Sequence, residues 1–117
     1  MKPIRSAGLL RRVIGISAAA LLAMSASAAL ANPFPKGNAA AGKKLHDPRC
    51  MSCHNSMFPD KNGTQLYSDD MFRKATNGAQ LRGMIEFCNN RTQSGWFEEE
   101  IQHVGRYLND NYYKFTK

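Results

Sequence analysis

The stretch Arg49-Cys50-Met51-Ser52-Cys53-His54 places two thiols and one imidazole within five residues. Three chemistries use such a cluster. A structural zinc ion takes paired cysteines and histidines as ligands. A redox dithiol uses Cys-x-x-Cys, whereas a covalently attached haem uses Cys-x-x-Cys-His. The rest of the sequence has to distinguish among the three.

The first 31 residues have the three-part layout of a secretory signal peptide. Residues 1–12 carry four basic side chains and no acid, residues 13–30 carry no charge, and Ala29-Leu30-Ala31 forms a small-x-small cleavage site. A transmembrane anchor is the alternative, because the uncharged stretch is about long enough to span a membrane. We favour cleavage, which predicts a mature, periplasmic protein of residues 32–117 without stable membrane insertion.

The mature chain has 86 residues, enough for one domain with a modest apolar core. The leader holds four of the 16 basic residues and none of the nine acidic ones, so its removal lowers the net charge from +7 to +3. No basic stripe interleaved with aromatic residues is visible, and we therefore expect no nucleic-acid partner. A domain this small often depends on a cofactor for stability.

Capping residues and apolar spacing predict an all-α domain with about three main helices. Asn38 is placed to cap a first helix, which Pro48 is expected to stop or bend before the cysteines. Residues 55–70 are rich in turn formers. From Ala79 to about Asn90, apolar side chains recur with helical spacing. The last helix begins with three glutamates, which suit its positive end, and its apolar stripe is Ile101, Val104, Gly105 and Leu108.

The surroundings of the cysteine motif favour haem over the other two chemistries. A redox dithiol expects a preceding strand, and no strand is predicted. Cys50, Cys53, Cys88 and a histidine would suffice for zinc, but exported thiols more usually form disulfides. Cysteines three positions apart can lie on one face of a helical turn and add to the two vinyl groups of a haem, with His54 as proximal iron ligand. We therefore predict one haem c, covalently attached through Cys50 and Cys53.

From about residue 38 to residue 116, the chain resembles the small monohaem c-type cytochromes with a class I-like fold. The resemblance is carried by the Cys-x-x-Cys-His motif, by AGKKLH before it and by EEEIQHVGRYL in the last helix. In that family the first and last helices cross with an aromatic side chain against a small residue, and Tyr107 and Gly42 match those positions. The resemblance implies about three helices wrapped around one haem, in an electron-transport protein rather than an enzyme.

The chain departs from this family where the sixth iron ligand is usually found. The loop before the last helix, residues 91–97, contains no methionine. We predict Met84 as the distal ligand, because its long, flexible thioether reaches further than Cys88 one turn on. Metal affinity alone does not decide among the candidates. The alternatives are Met71, Cys88, His103 and an open site. His46 stands where the family often has an aromatic or aliphatic residue and is expected to be structural.

Three functions follow from these observations. The first is a periplasmic cytochrome that carries single electrons between redox partner proteins. If its basic residues ring the haem edge, they would steer it to acidic docking surfaces; these residues are Lys43, Lys44, Arg49, Lys61, Arg73 and Lys74. The missing loop methionine motivates a haem sensor or gas-binding protein with an open sixth site. The third is a small haem subunit of a larger oxidoreductase, with the aromatic tail Tyr112, Tyr113 and Phe115 either as its contact patch or as a cover for its own core.

Overall fold

The computed structural model describes residues 31–117, so the predicted signal peptide lies, apart from its last residue, outside the described residues. The described chain forms four α-helices and a π-helical turn: α1 (Ala39–Ser56), α2 (Gln65–Ser68), α3 (Gly78–Thr92), α4 (Glu98–Leu108) and the turn Asn109–Tyr113. Residues 31–117 contain no strand, which confirms the predicted all-α class. None of the helices in this range has the length and apolar character needed to cross a membrane.

Helix α1 begins as predicted but continues further than predicted. The side-chain oxygen of Asn38 accepts a hydrogen bond from the Ala41 N–H at 2.9 Å. The helix then passes through Pro48 and ends at Ser56, so the stop expected at Pro48 was wrong, whereas a bend there stays a prediction. A proline removes one N–H donor from a helix and leaves the carbonyl four residues earlier without its partner. Lys44 and Pro48 are both exposed, and the cysteine motif lies inside the last turns of α1.

Gly42 lies where α1 crosses α4 at close range. A Cβ at this position would lie 1.9 Å from the carbonyl oxygen of His103 and 2.8 Å from the Cβ of Tyr107. No larger residue fits without moving the two helices apart. The contact predicted between Gly42 and Tyr107 is therefore present, and it fixes the position of the cysteine-bearing helix against the last helix.

Helices α3 and α4 form as the apolar spacing predicted. The Asn77 side chain caps α3 by accepting the Gln80 N–H at 2.9 Å. The Phe97 N–H at the start of α4 donates to the Glu100 carboxylate at 2.9 Å. The predicted apolar stripe of α4 is buried at all four positions: Ile101, Val104, Gly105 and Leu108.

Helix α2 was not predicted, because residues 55–70 were read as a turn-rich stretch. This single turn of helix brings Tyr67 into the core, where it is 5% exposed. The C-terminal segment packs against the same core: Tyr113 is buried, and Tyr112 and Phe115 are partly buried against it. Of the two roles considered for this aromatic tail, the structure shows the covering of the domain's own core.

Candidate functional site

An apolar cavity lies between α1, α2, α3 and the C-terminal segment. The empty space inside the cavity and at its solvent-open mouth together amounts to about 790 Å³. Helix α1 contributes Cys50 and His54 to its wall, and α3 contributes Met84 and Cys88. Most of the remaining wall is apolar and includes Leu66, Leu81, Ile85, Trp96 and Leu108. The cavity therefore brings together Cys50 and His54 of the motif and two of the candidate distal ligands, whereas Cys53 is outside its wall.

The two motif cysteines differ in their surroundings. Cys50 is 6% exposed and lines the cavity, whereas Cys53 is exposed one turn further along α1. Burial, followed by the charges of neighbouring groups, raises the pKa of the Cys50 thiol to about 12. Both thiols are free. Residues three apart on a helix are neighbours on its surface, so Cys53 lies beside Cys50 on α1.

His54 is half-buried and lines the same cavity. Its Nδ1 lies 2.6 Å from the hydroxyl oxygen of Tyr67. Burial, assisted by the neighbouring His46, lowers the pKa of His54, which favours the neutral imidazole that binds metals. Since Nδ1 is engaged with Tyr67, Nε2 is the nitrogen left for a ligand role.

The structure separates the four candidate distal ligands into two pairs. Met84 and Cys88 are partly buried and line the cavity with His54. Met71 is 83% exposed and is not part of the wall. His103 is also outside the wall, since its Nδ1 accepts the backbone N–H of Asn38 at 2.9 Å. Burial raises the pKa of Cys88, which favours the thiol over the thiolate that would bind a metal.

Sequence reasoning missed the aromatic wall residues Tyr67, Phe72 and Trp96. Tyr67 and Trp96 lie in stretches rich in turn formers, and a large aromatic residue in such a stretch is the signal that would have found them. His46 was expected to be structural. It is 1% exposed, and both of its ring nitrogens are within hydrogen-bond distance of a partner.

The cavity fits a haem by its chemistry. Its wall is mainly apolar, as the porphyrin ring requires, and one helix supplies both a thiol and an imidazole to it. The hydroxyl of Tyr113 is buried, lines the cavity and has no hydrogen-bond partner within residues 31–117. Buried polar groups are rarely left unpaired, so this hydroxyl is available to a polar group of a bound molecule.

Two features of residues 31–117 concern the competing chemistries, zinc binding and a redox dithiol. Over residues 31–117, no group of three or more His, Cys, Asp or Glu side chains is arranged to hold a metal ion. The zinc site that Cys50, Cys53, Cys88 and a histidine could have formed is therefore not assembled. The motif is also preceded by the body of α1 rather than by a strand, which is not the setting of a thioredoxin-like dithiol.

Two of the basic residues that were considered for attracting acidic partner proteins contact other side chains within residues 31–117. Arg73 lies 4.7 Å from the centre of the Tyr113 ring and donates to the Tyr113 carbonyl at 3.3 Å. Lys43 pairs with Asp47 on α1. The other four are exposed: Lys44, Arg49, Lys61 and Lys74. Of these, Lys74 lies at the wall of the cavity.

Comparison of the chain with protein-family models, with curated proteins and with solved structures finds no match. The functional argument therefore depends on the residues and the geometry described above.

Proposed function

We propose that this protein is a periplasmic monohaem c-type cytochrome that carries single electrons between redox partner proteins. The observation that carries the proposal is that Cys50 and His54, from one Cys-x-x-Cys-His motif, line one apolar cavity. Cys50 and Cys53 hold the haem through thioether bonds, and His54 is its proximal ligand. When bound, the haem supplies an iron ion that accepts and releases one electron.

The helical architecture supports a class I-like cytochrome c fold. The first long helix carries the motif in its last turns, and the last helix crosses it at Gly42 with Tyr107 in contact. This crossing matches the positions, Gly42 and Tyr107, that the resemblance implies apart from the cysteine motif. The fold assignment and the haem assignment are therefore supported by different residues.

The side chains around the cavity have separate roles in this proposal. Leu81, Ile85 and Leu108, each less than 5% exposed, exclude water from the site, and a drier site influences the reduction potential. Met84 is the distal ligand that we propose, with Cys88 as the alternative, because Met71 is exposed and outside the cavity wall. A thioether ligand raises the reduction potential relative to a second histidine or a thiolate.

Partner proteins are proposed to approach the open side of the cavity. The exposed side chains of Met57 and Phe72 and the exposed Lys74 lie at its wall. Apolar side chains beside a positive charge suit a transient partner with an acidic docking surface. Neither a nucleic acid nor a membrane is part of the proposed function.

The test is expression of the full chain in a periplasm that attaches haem, followed by a haem stain after denaturing electrophoresis. The wild-type protein is expected to keep its haem signal, and the Cys50→Ala/Cys53→Ala double variant is expected to lose it. Cys88→Ala is the matched control and should keep the signal, because Cys88 is outside the motif. A mature protein that purifies with zinc and without haem contradicts the proposal.

One observation favours a gas-binding or sensor protein as the second candidate. Trp96 of the loop 91–97 lines the cavity, so this loop contributes an aromatic wall residue instead of a sulfur ligand. A sixth site without a protein ligand would bind carbon monoxide in the reduced protein. An absorption spectrum that does not change when carbon monoxide is added supports the electron carrier, and a shifted spectrum supports the second candidate.

A further inference from the structure

A chain of hydrogen bonds connects His54 to a carboxylate at the surface of α1. The hydroxyl oxygen of Tyr67 lies 2.6 Å from His54 Nδ1 and 2.8 Å from His46 Nε2. The other ring nitrogen of His46, Nδ1, lies 3.0 Å from Asp47 Oδ1. Tyr67 is 5% exposed and His46 is 1% exposed, so the hydrogen bond between them is buried away from water, whereas the bond between Tyr67 and His54 is part-buried.

The positions of the hydrogens along these hydrogen bonds follow from Asp47, the group nearest the surface. Burial alone would raise the pKa of Asp47, but hydrogen bonds from Lys43 and His46 lower it, so the carboxylate is ionised at neutral pH. An ionised carboxylate only accepts hydrogen bonds. His46 Nδ1 must therefore carry a hydrogen and donate it to Asp47.

The hydrogen bond between His46 and Tyr67 determines the direction in which the Tyr67 hydroxyl donates. Burial lowers the pKa of His46, although the hydrogen bond to Asp47 raises it, so the imidazole is neutral and carries only one hydrogen. With that hydrogen on Nδ1, Nε2 is an acceptor. The Tyr67 O–H therefore donates to His46, and only a lone pair of its oxygen is directed to His54.

The hydrogen bond between Tyr67 and His54 determines which ring nitrogen of His54 carries the hydrogen. The Tyr67 O–H already donates its hydrogen bond to His46. In the 2.6 Å contact between Tyr67 and His54, His54 Nδ1–H must therefore be the donor. An imidazole that binds a metal does so in its neutral form, which carries one hydrogen. The only hydrogen of His54 is then on Nδ1, and its Nε2 carries a free lone pair.

We propose that Tyr67 is a positioning residue that holds His54 with Nδ1 protonated and Nε2 free for iron, and that His46 sets the direction of the Tyr67 hydroxyl. This inference rests on the proposed function, since it concerns the same imidazole. An acceptor at the second nitrogen of a metal-binding histidine fixes its tautomer and raises its basicity. A more basic imidazole stabilises the oxidised iron, so the hydrogen bond from His54 to Tyr67 lowers the reduction potential.

The experiment uses the haem-loaded protein and measures the reduction potential of four variants. Tyr67→Phe keeps the ring and removes the acceptor, so the potential is expected to rise. His46→Phe keeps the Tyr67 oxygen but removes its polarising partner, so a smaller rise is expected. The double variant should match Tyr67→Phe, because both changes act through one hydroxyl. Tyr112→Phe is the control, since the Tyr112 ring lies 5.4 Å from the Tyr67 ring and its hydroxyl is outside the chain.

A second measurement, proton exchange at His54 Nδ1, begins with the wild-type protein, and that part does not depend on how well the variants fold. The sample is reduced wild-type protein with ¹⁵N-labelled histidine, and carbon monoxide is added if the sixth site is open. In its NMR spectrum, His54 Nδ1 should show a bound proton that exchanges slowly with solvent. Tyr67→Phe should speed this exchange at least about tenfold, whereas Tyr112→Phe should not. A wild-type His54 without a proton on Nδ1 overturns the inference.

The failure of this inference differs from the failure of the proposed function. A haem-loaded Tyr67→Phe protein with wild-type potential and wild-type proton exchange refutes the role of Tyr67 and leaves the cytochrome proposal intact. A wild-type chain that acquires no haem in a haem-attaching periplasm refutes the cytochrome proposal and this inference with it.

Discussion

At the residue scale, the least determined feature of the proposed site is the distal iron ligand. Met84 and Cys88 share a helix, line the same cavity and lie one turn apart. Their chemistry differs, because a thioether favours the reduced iron and a thiolate favours the oxidised iron. The two residues therefore predict opposite shifts in reduction potential, which makes single substitutions informative.

Met84→Ala is expected to lower the reduction potential and to open the haem to carbon monoxide, because it removes the thioether. Met71→Ala is the matched control and should leave both properties nearly unchanged, since Met71 is 83% exposed. Potentiometry and absorption spectra of the reduced proteins provide the measurement. A spectrum that survives Met84→Ala but changes in Cys88→Ser would show thiolate ligation and refute the Met84 assignment.

At the element scale, the crossing of α1 and α4 determines where the cysteine motif lies. Gly42→Ala would place a Cβ 1.9 Å from the His103 carbonyl oxygen, so we expect a loss of about 1–3 kcal/mol or more in the free energy of unfolding. Gly83→Ala is the matched control, because a Cβ on this exposed helical glycine would meet nothing within 4 Å. That change should stabilise the protein by up to about 1 kcal/mol.

Urea denaturation of both haem-loaded variants measures these two effects. A Gly42→Ala protein as stable as the wild type would mean that the two helices do not approach each other as closely as described. A stabilised Gly83→Ala protein would show in the same assay that alanine is tolerated where a helical glycine has open space.

An ion pair joins α3 to the first turn of α4 and makes the stability of the protein depend on pH. Hydrogen bonds from Arg82, followed by one from Gln102, lower the pKa of Glu98 to about 2 from its ordinary value of 4.5. Because the pKa is lower in the folded state, the contribution of Glu98 is complete above about pH 4.5 and is lost as the pH falls towards 2. Glu98 is exposed, so the effect is small.

Glu98→Gln is expected to reduce the loss of stability between about pH 5 and pH 3, because glutamine does not titrate. Glu99→Gln in the same turn is the control, since Glu99 is 82% exposed and makes no contact with Arg82 among the ion pairs of residues 31–117. Thermal unfolding at the two pH values is the measurement. An identical pH response of Glu98→Gln and the wild type would show that the pair with Arg82 contributes nothing.

The elements that could be predicted from the sequence are those fixed by neighbours along the chain. Asn38 caps α1 through a residue three positions away, and the stripe of α4 follows from helical spacing alone. A stop at Pro48 was wrong, because a proline removes one N–H donor from a helix and can kink it without ending it. The motif residues were found by their spacing, whereas Tyr67 was not, because it meets His54 across 13 residues through the packing of an unpredicted helical turn.

At the scale of the whole molecule, the proposed haem would be part of the core. The predicted mature chain has 86 residues, and the central cavity is bounded mainly by apolar side chains. A domain this small has little apolar surface to bury by itself. The haem would therefore contribute to folding as well as to electron transfer.

The Cys50→Ala/Cys53→Ala chain is accordingly expected to unfold without a cooperative transition, because the apolar wall of the cavity has nothing to pack against. Circular dichroism during heating and the dispersion of a proton NMR spectrum measure this, with haem-loaded Cys88→Ala as the comparison. A well-dispersed spectrum and a sharp thermal transition in the haem-free chain would show that the protein side chains suffice for the core.

The most direct test of the central claim is the intact mass of the protein purified from a periplasm that attaches haem. We predict a chain that has lost residues 1–31 and has gained the mass of one haem, which stays bound after denaturation and extraction with acidified organic solvent. A mature chain at the mass of the polypeptide alone, or one whose haem is removed by that extraction, would contradict covalent attachment through Cys50 and Cys53.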